Sequence, residues 1–241
     1  MEKNQFTRSE MVIGQEGLEK LRNATVAVFG VGGVGSFSVE ALARVGVGHL
    51  VLVDFDTVDI TNVNRQIHAF PDTVGMTKVD LMKERVMRIQ PGIKVTVHNK
   101  KYNADTASEI FDPTWDYVID AIDMVSAKLD LIQRCWENKV PVIASMGTGN
   151  KMDPTRFKIV DIAKTHTCPL AKVMRKELRV RGVKKLNVCF SDEPAVKPLE
   201  LDEHPTNPRK KTPGSMSFVP SVSGMICASK VVRDLIGWEE M

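Results

Sequence analysis

Short apolar runs alternate with stretches of helical periodicity through the first two thirds of the chain. Thr25 to Phe29 is a run of five that ends at a glycine cluster, which predicts a buried strand entering a tight turn. Residues 35 to 45 carry Phe37, Leu42 and Val45 at helical spacing and stop at Gly46, the usual mark of a helix C-terminus. A second buried strand, His49 to Val53, runs into Asp54. A helix over about 75 to 90, stopped by Pro91, leads to a strand at Lys94 to His98. Another helix near 104 to 111 precedes the strand Tyr117 to Asp120, and a helix over about 125 to 138 leads to the strand Val140 to Ala144. Strands separated by helices in this rhythm predict an α/β, Rossmann-like, doubly wound sheet with mostly parallel strands.

The rhythm changes after Gly149. Strands are expected at Phe157 to Ile162 and Leu186 to Phe190, with a basic helix over 169 to 181 between them. Residues 191 to 217 hold five prolines and few apolar residues, the pattern of a long functional loop. The late apolar stretch Phe218 to Ile236 contains Pro220, Lys230 and Arg233, so it reads as a buried helix returning to the sheet and not as a stable membrane span. Residues 1–165 are read as a nucleotide-binding core and 166–241 as a C-terminal extension completing the same structural domain.

Composition narrows the class only slightly. The 241 residues include 43% apolar and 26% charged, ordinary for a globular chain able to build its own core. A net charge of +3 names no partner. Cys135, Cys168, Cys189 and Cys227 form no CxxC pair, which argues against a disulfide framework or a Cys-paired zinc site. A site from His166, Cys168, Cys189 and His204 fits no familiar zinc spacing. The polar residues Met1 to Glu10 do not read as a signal peptide, which makes the cytoplasm the expected compartment.

The chemistry begins at Gly30-Val-Gly32-Gly33-Val-Gly35, which follows a strand and opens a helix. Such glycines let backbone N–H groups approach a phosphate, and Asp54, 24 residues on, can accept ribose hydroxyls. This much indicates a nucleotide and leaves NAD and ATP both open. The segment Asp54-Phe-Asp56-Thr-Val-Asp59-Ile-Thr-Asn62-Val-Asn64-Arg65-Gln66 favours ATP, because an arginine and amides past the ribose acid suit developing phosphoryl charge. Lys78 can add a mobile positive charge. Asp120 and Asp123 leave the next strand where ligands bind, and a carboxylate there can hold Mg2+. Taken singly, Arg65 and Lys128 also read as surface charges, and Asp120 as a helix cap.

The set Gly30 to Gly35, Asp54-x-Asp56, Asn62-x-x-Arg65-Gln66, Lys78 and Asp120-x-x-Asp123 resembles the adenylation core of ubiquitin-activating-type enzymes. The resemblance implies ATP and Mg2+ as cofactors. It places Asp54 at the ribose, Asn62, Arg65 and Lys78 at the phosphates, Asp123 at the magnesium, and Lys128 at a position usually basic. It also makes Arg8 the arginine that reaches the neighbouring subunit's site, hence a homodimer. Among such enzymes, sulfur-carrier activators typically have two CxxC pairs, which this chain lacks. Thr61 to Ala69, Tyr117 to Asp123, Asp153-Pro-Thr155 and Asp161 to Thr165 instead resemble the tRNA threonylcarbamoyladenosine dehydratases, with Cys168 standing where an aspartate is expected.

That resemblance implies adenylation of the threonyl carboxylate of the modified adenosine next to the anticodon, then ring closure with loss of water. It gives the basic run Lys172, Arg175, Lys176, Arg179, Arg181, Lys184 and Lys185, and Arg209 to Lys211, a purpose as tRNA contacts, although a basic run is also what a solvated helix face looks like. Adenylation of a ubiquitin-like sulfur carrier is the alternative, and a sulfur-relay protein stays open as a further partner. A nucleotide-sensing or NAD-dependent protein is the competing class.

Overall fold

The computed structural model describes residues 3–199 and 213–238. Helix α1 (Thr7–Asn23) precedes a sheet built from β1 (Thr25–Phe29), β2 (His49–Val53), β3 (Lys94–His98), β4 (Tyr117–Asp120), β5 (Val142–Ser145), β6 (Phe157–Asp161) and β7 (Asn187–Ser191). The connecting helices are α2 (Gly35–Val45), α3 (Lys78–Ile89), α4 (Ala107–Ile110), α5 (Val125–Glu137) and α6 (Pro169–Val180), and α7 (Phe218–Ile236) closes the described chain. The strand order is β3-β2-β1-β4-β5-β7-β6. All pairs are parallel except β6 against β7. The fold is therefore the mostly parallel, doubly wound α/β sheet expected, with the strands beyond Gly149 extending the same sheet.

Strand geometry explains the two-layer cover. Successive side chains point to opposite faces, so Val26, Val28, Leu50, Leu52 and Ile119 pack with α2, α3 and α7 residues such as Leu42, Met82 and Val231. Ala27, Phe29, Val51 and Val118 pack on the other face with α5 residues such as Leu131 and Cys135, and Val188 and Phe190 with Met174 and Leu178 of α6. Both faces being covered, the strands need the continuous apolar runs seen in the sequence.

Three differences from the sequence expectations have physical causes. Helix α1 was not foreseen; it is polar on average and bends at Gly14 (φ 71°). The helix expected over 104 to 111 shrinks to Ala107–Ile110, because Asn103 and Thr106 bond the local backbone and hold a turn in its place. The strand expected at Val140 begins at Val142, since Pro141 has no N–H for the ladder. No helix among the described residues is long and apolar enough to cross a membrane.

Candidate active site

The strand order reverses between β1 and β4, so the chain leaves these neighbours in opposite directions and a crevice opens at their C-terminal ends. A cleft of about 680 Å3 lies there. Gly30 forms the turn out of β1: its φ is +84°, and a Cβ on it would come within 2.6 Å of the Ala121 carbonyl oxygen. A Cβ on Gly35 would sit 1.8 Å from the Gly30 carbonyl oxygen, so Gly35 closes the turn from beneath and does not line the cleft. Gly32 and Gly33 do line it, and Gly33 faces Pro220 of α7.

Asp54 ties the turn to β2. Its Oδ2 accepts the Val31 N–H at 2.6 Å and its Oδ1 the Asp56 N–H at 2.9 Å. Burial raises its pKa, opposed by those two amides and by Lys78. The carboxylate keeps lone pairs for further donors, as a ribose diol would supply. Lys78 opens α3 with only 5% of its surface exposed, and its Nζ pairs with Asp56 Oδ2 at 2.8 Å. Asp59 starts a 3-10 turn by accepting the Thr61 N–H, and that turn carries Asn62 and Arg65 to the cleft. Arg65 Nη1 donates to the Thr61 carbonyl at 2.6 Å and to Asn64 Oδ1 at 3.0 Å. Gln66 is buried at the cleft wall with its Oε1 lacking a partner among the described residues. Asp123 is exposed in the cleft and makes no hydrogen bond or ion pair among the described residues.

Thus Gly30, Gly32, Gly33, Asp54, Asp56, Asn62, Arg65, Gln66, Lys78 and Asp123 share one cleft. Besides Gly35, three other expected residues do not. Lys128 is fully buried, its Nζ 2.9 Å from Asp120 Oδ2 and 3.0 Å from the Ser145 carbonyl oxygen. Its ammonium is committed to a carboxylate under the cleft floor, which corrects its expected place among the nucleotide contacts. Asp120 is likewise no free ligand or surface cap: it is wholly buried, and that burial raises its pKa against the pull of Lys128. Arg8 lies exposed on α1 and does not line this chain's cleft.

The cleft also holds residues that sequence reasoning missed: Lys100, Lys101 and Tyr102 after β3, Thr148 and Gly149 after β5, and Pro213 to Ser215 ahead of α7. The first two groups had one signal, since anything following a parallel strand must emerge at this edge. Pro213 to Ser215 had none. Lys100 pairs with Glu109 at 2.7 Å, and Lys101 lies over the Phe55 ring, 5.7 Å from its centre. Arg65, Lys78, Lys100 and Lys101 together bring four cations to the pocket that would face a polyanion.

All four cysteines are buried: Cys168 packs near Gly147 and Cys135 lies on α5, while Cys189 and Cys227 adjoin one another in the opposite layer, where Ser223 also donates to Cys189. No group of three or more His, Cys, Asp or Glu among the described residues is placed to hold a metal. His204 and Arg209 to Lys211 lie outside the described residues. In the basic run, Arg175 spends its guanidinium on the Thr165 carbonyl and hydroxyl, at 2.8 and 2.6 Å, whereas Lys172, Lys176, Arg179, Arg181, Lys184 and Lys185 are exposed.

Known proteins carry the same architecture. The chain is 52% identical to the tRNA threonylcarbamoyladenosine dehydratase of Bacillus subtilis (strain 168), over 97% of this chain and 95% of that protein. The crystal structure of E. coli tRNA N6-threonylcarbamoyladenosine dehydratase, TcdA, with AMP superposes with a TM-score of 0.88 at 35% identity, covering 97% of this chain and 94% of that one. The structure of the same E. coli enzyme with ATP gives 0.86 at 34% identity over the same shares. The family model of the ThiF family matches residues 6–241, and this chain belongs to that family.

Proposed function

We propose that this protein is an ATP-dependent tRNA threonylcarbamoyladenosine dehydratase. The observation that carries the reading is the single cleft at the β1/β4 crevice, which gathers the glycine turn, the Asp54 carboxylate, four cations and an Asp123 unpaired among the described residues, in a chain so close to a protein of that name.

The residues divide the work. Asp54, already holding the glycine turn through Val31, takes the ribose hydroxyls of ATP. Lys78 exchanges Asp56 for a phosphate oxygen with little cost, because Asp56 is half exposed and can be solvated in its place. Arg65 and Asn62 stabilise the charge that develops as pyrophosphate leaves. The threonyl carboxylate attacks the α-phosphorus, which joins one carboxylate oxygen to AMP and turns a poor electrophile into a good one. A carbamoyl nitrogen of the same residue then attacks the activated carbonyl, gives up its proton, and expels AMP with that oxygen. The net change is loss of one water from the nucleoside, and no covalent cysteine is required. Holding a nucleophile that already belongs to the same molecule supplies much of the acceleration.

Magnesium suits the donor set. The ion is commonly held by one or two carboxylates and completed by phosphates and water. Asp123, exposed in the cleft and unpaired among the described residues, is the carboxylate that would hold it. Lys172, Lys176, Arg179, Arg181, Lys184 and Lys185 are exposed and suit contact with the tRNA backbone. A homodimer, in which Arg8 of the partner subunit completes the cleft, is supported by the exposure of Arg8 away from its own chain's site.

The test is nucleoside mass analysis after incubation with ATP, magnesium and tRNA carrying threonylcarbamoyladenosine. Loss of one water with release of AMP is expected. An unchanged nucleoside, in protein that still binds ATP, would overturn the substrate and turn attention to a carrier-protein carboxylate.

A further inference from the structure

Beyond the nucleotide-facing residues, the cleft is walled by Thr148, Gly149 and the strap Pro213-Gly214-Ser215 that leads into α7. Among the described residues, this side carries no charged side chain. It offers backbone amides, small residues and hydroxyls, a poor match to phosphate and a good one to a group made of an amide, a hydroxyl and a short aliphatic stem.

Two asparagines fix the strap. Asn150 sits in the left-handed region at φ 57°. Its N–H donates to the Gly214 carbonyl at 2.8 Å, and its Oδ1 accepts the Gly214 N–H at 2.7 Å. Its own carbonyl accepts the Val196 N–H at 2.7 Å, so one residue holds both the strap and the chain beyond β7. From the other wall, Asn64 Nδ2 donates to the Ser215 carbonyl at 2.9 Å while Asn64 Oδ1 accepts from Arg65. Contact is close: a Cβ on Gly149 would fall 2.8 Å from Pro213 Cβ.

We propose that this strap is the acyl-substrate half of the cleft, receiving the threonylcarbamoyl group. Asn150 is the positioning residue that sets it, and Asn64 links it to Arg65. The inference rests on the function proposed above and deepens it by naming where the nucleoside's side chain binds.

The test separates substrate from nucleotide. Asn150→Gly keeps the left-handed backbone at no strain and deletes only the side-chain acceptor, whereas Asn150→Asp keeps an acceptor oxygen. For the glycine variant the KM for modified tRNA is expected to rise by about fivefold, the scale of one hydrogen bond, with the KM for ATP changed by less than about twofold. Asn150→Asp should stay within about twofold of wild type on both. Hydrogen exchange across residues 213–217 should quicken in the glycine variant alone. Gly149→Ala, which pushes the strap from the opposite side, gives a second route to the same KM split should Asn150→Gly fold poorly. An unmoved tRNA KM, or equal rises in both KM values, would overturn the inference while leaving the dehydratase reading intact. Wild-type protein that leaves the nucleoside unchanged would overturn both.

Discussion

Replacing Lys128 with methionine removes the cation that neutralises a carboxylate sealed under the cleft floor. Asp120 and Lys128 both have side chains with no exposed surface, 2.9 Å apart. Removing one partner of such a pair costs about 3–5 kcal/mol, because the surviving charge can find neither water nor a counter-ion. Methionine has a similar length, so little of the loss would come from a cavity. An exposed pair such as Lys100–Glu109 sets the contrast, since water solvates both partners once it is broken. The expected deficit is a large share of the roughly 5–15 kcal/mol that holds a domain together.

The loss should also depend on pH with a definite sign. Burial raises the Asp120 pKa even with Lys128 present, and losing Lys128 raises it further. An acid whose folded pKa exceeds its unfolded value contributes stability at low pH and loses it as pH rises. The deficit of Lys128→Met should therefore be largest near neutrality and shrink as the pH falls toward the ordinary carboxylate range. Urea denaturation at several pH values measures this, and Asp120→Asn in the Lys128→Met background should restore more than half of the loss. A deficit below about 1 kcal/mol at neutral pH, or one that does not change with pH, would refute the reasoning.

The other expectations are briefer. Asp123→Ala should abolish AMP formation yet leave stability within about 0.5 kcal/mol, as the side chain has no partner among the described residues to lose; kinetic assay and thermal melting check both. Lys78→Ala should weaken ATP binding by about tenfold or more, the scale of a charged hydrogen bond, measured by calorimetry. Gly35→Ala should fail to give a native turn, with a Cβ 1.8 Å from the Gly30 carbonyl oxygen, while Gly92→Ala meets nothing within 4 Å and should be near neutral by denaturant titration. His68 is buried (3% exposed), and that burial, with Lys78 and Arg85 nearby, lowers its pKa to about 4. A base so depressed contributes stability that is lost as pH falls from about 6.5 toward 4, at up to about 1.4 kcal/mol per pH unit. His68→Phe should flatten that part of the stability profile.

How far the sequence could be read depended on whether a local pattern carried the information. The run Thr25 to Phe29, its glycines and Asp54 were legible because strand, turn and acid follow one another along the chain. Lys128 was placed among the nucleotide contacts through the resemblance, as a residue at a usually basic position. It shares one face of α5 with Leu131, Ile132 and Cys135, and that periodicity already points inward. The strap was illegible for a different reason. Pro213 to Ser215 reach the cleft only because α7 returns across α2, where Gly224 lets the helices touch, and no nearby residue announces that contact. Arg175, read with its basic neighbours as a tRNA contact, is turned inward by Thr165, which a charge count does not reveal.

The central claim is that the threonyl carboxylate is activated by transfer of AMP. Tracing oxygen tests it most directly: tRNA whose threonylcarbamoyl carboxylate carries 18O is incubated with protein, ATP and magnesium, and the released AMP is weighed. The account predicts one labelled oxygen in AMP for each nucleoside that loses water, because ring closure expels the carboxylate oxygen on the phosphate. Cyclised nucleoside accompanied by unlabelled AMP would contradict it.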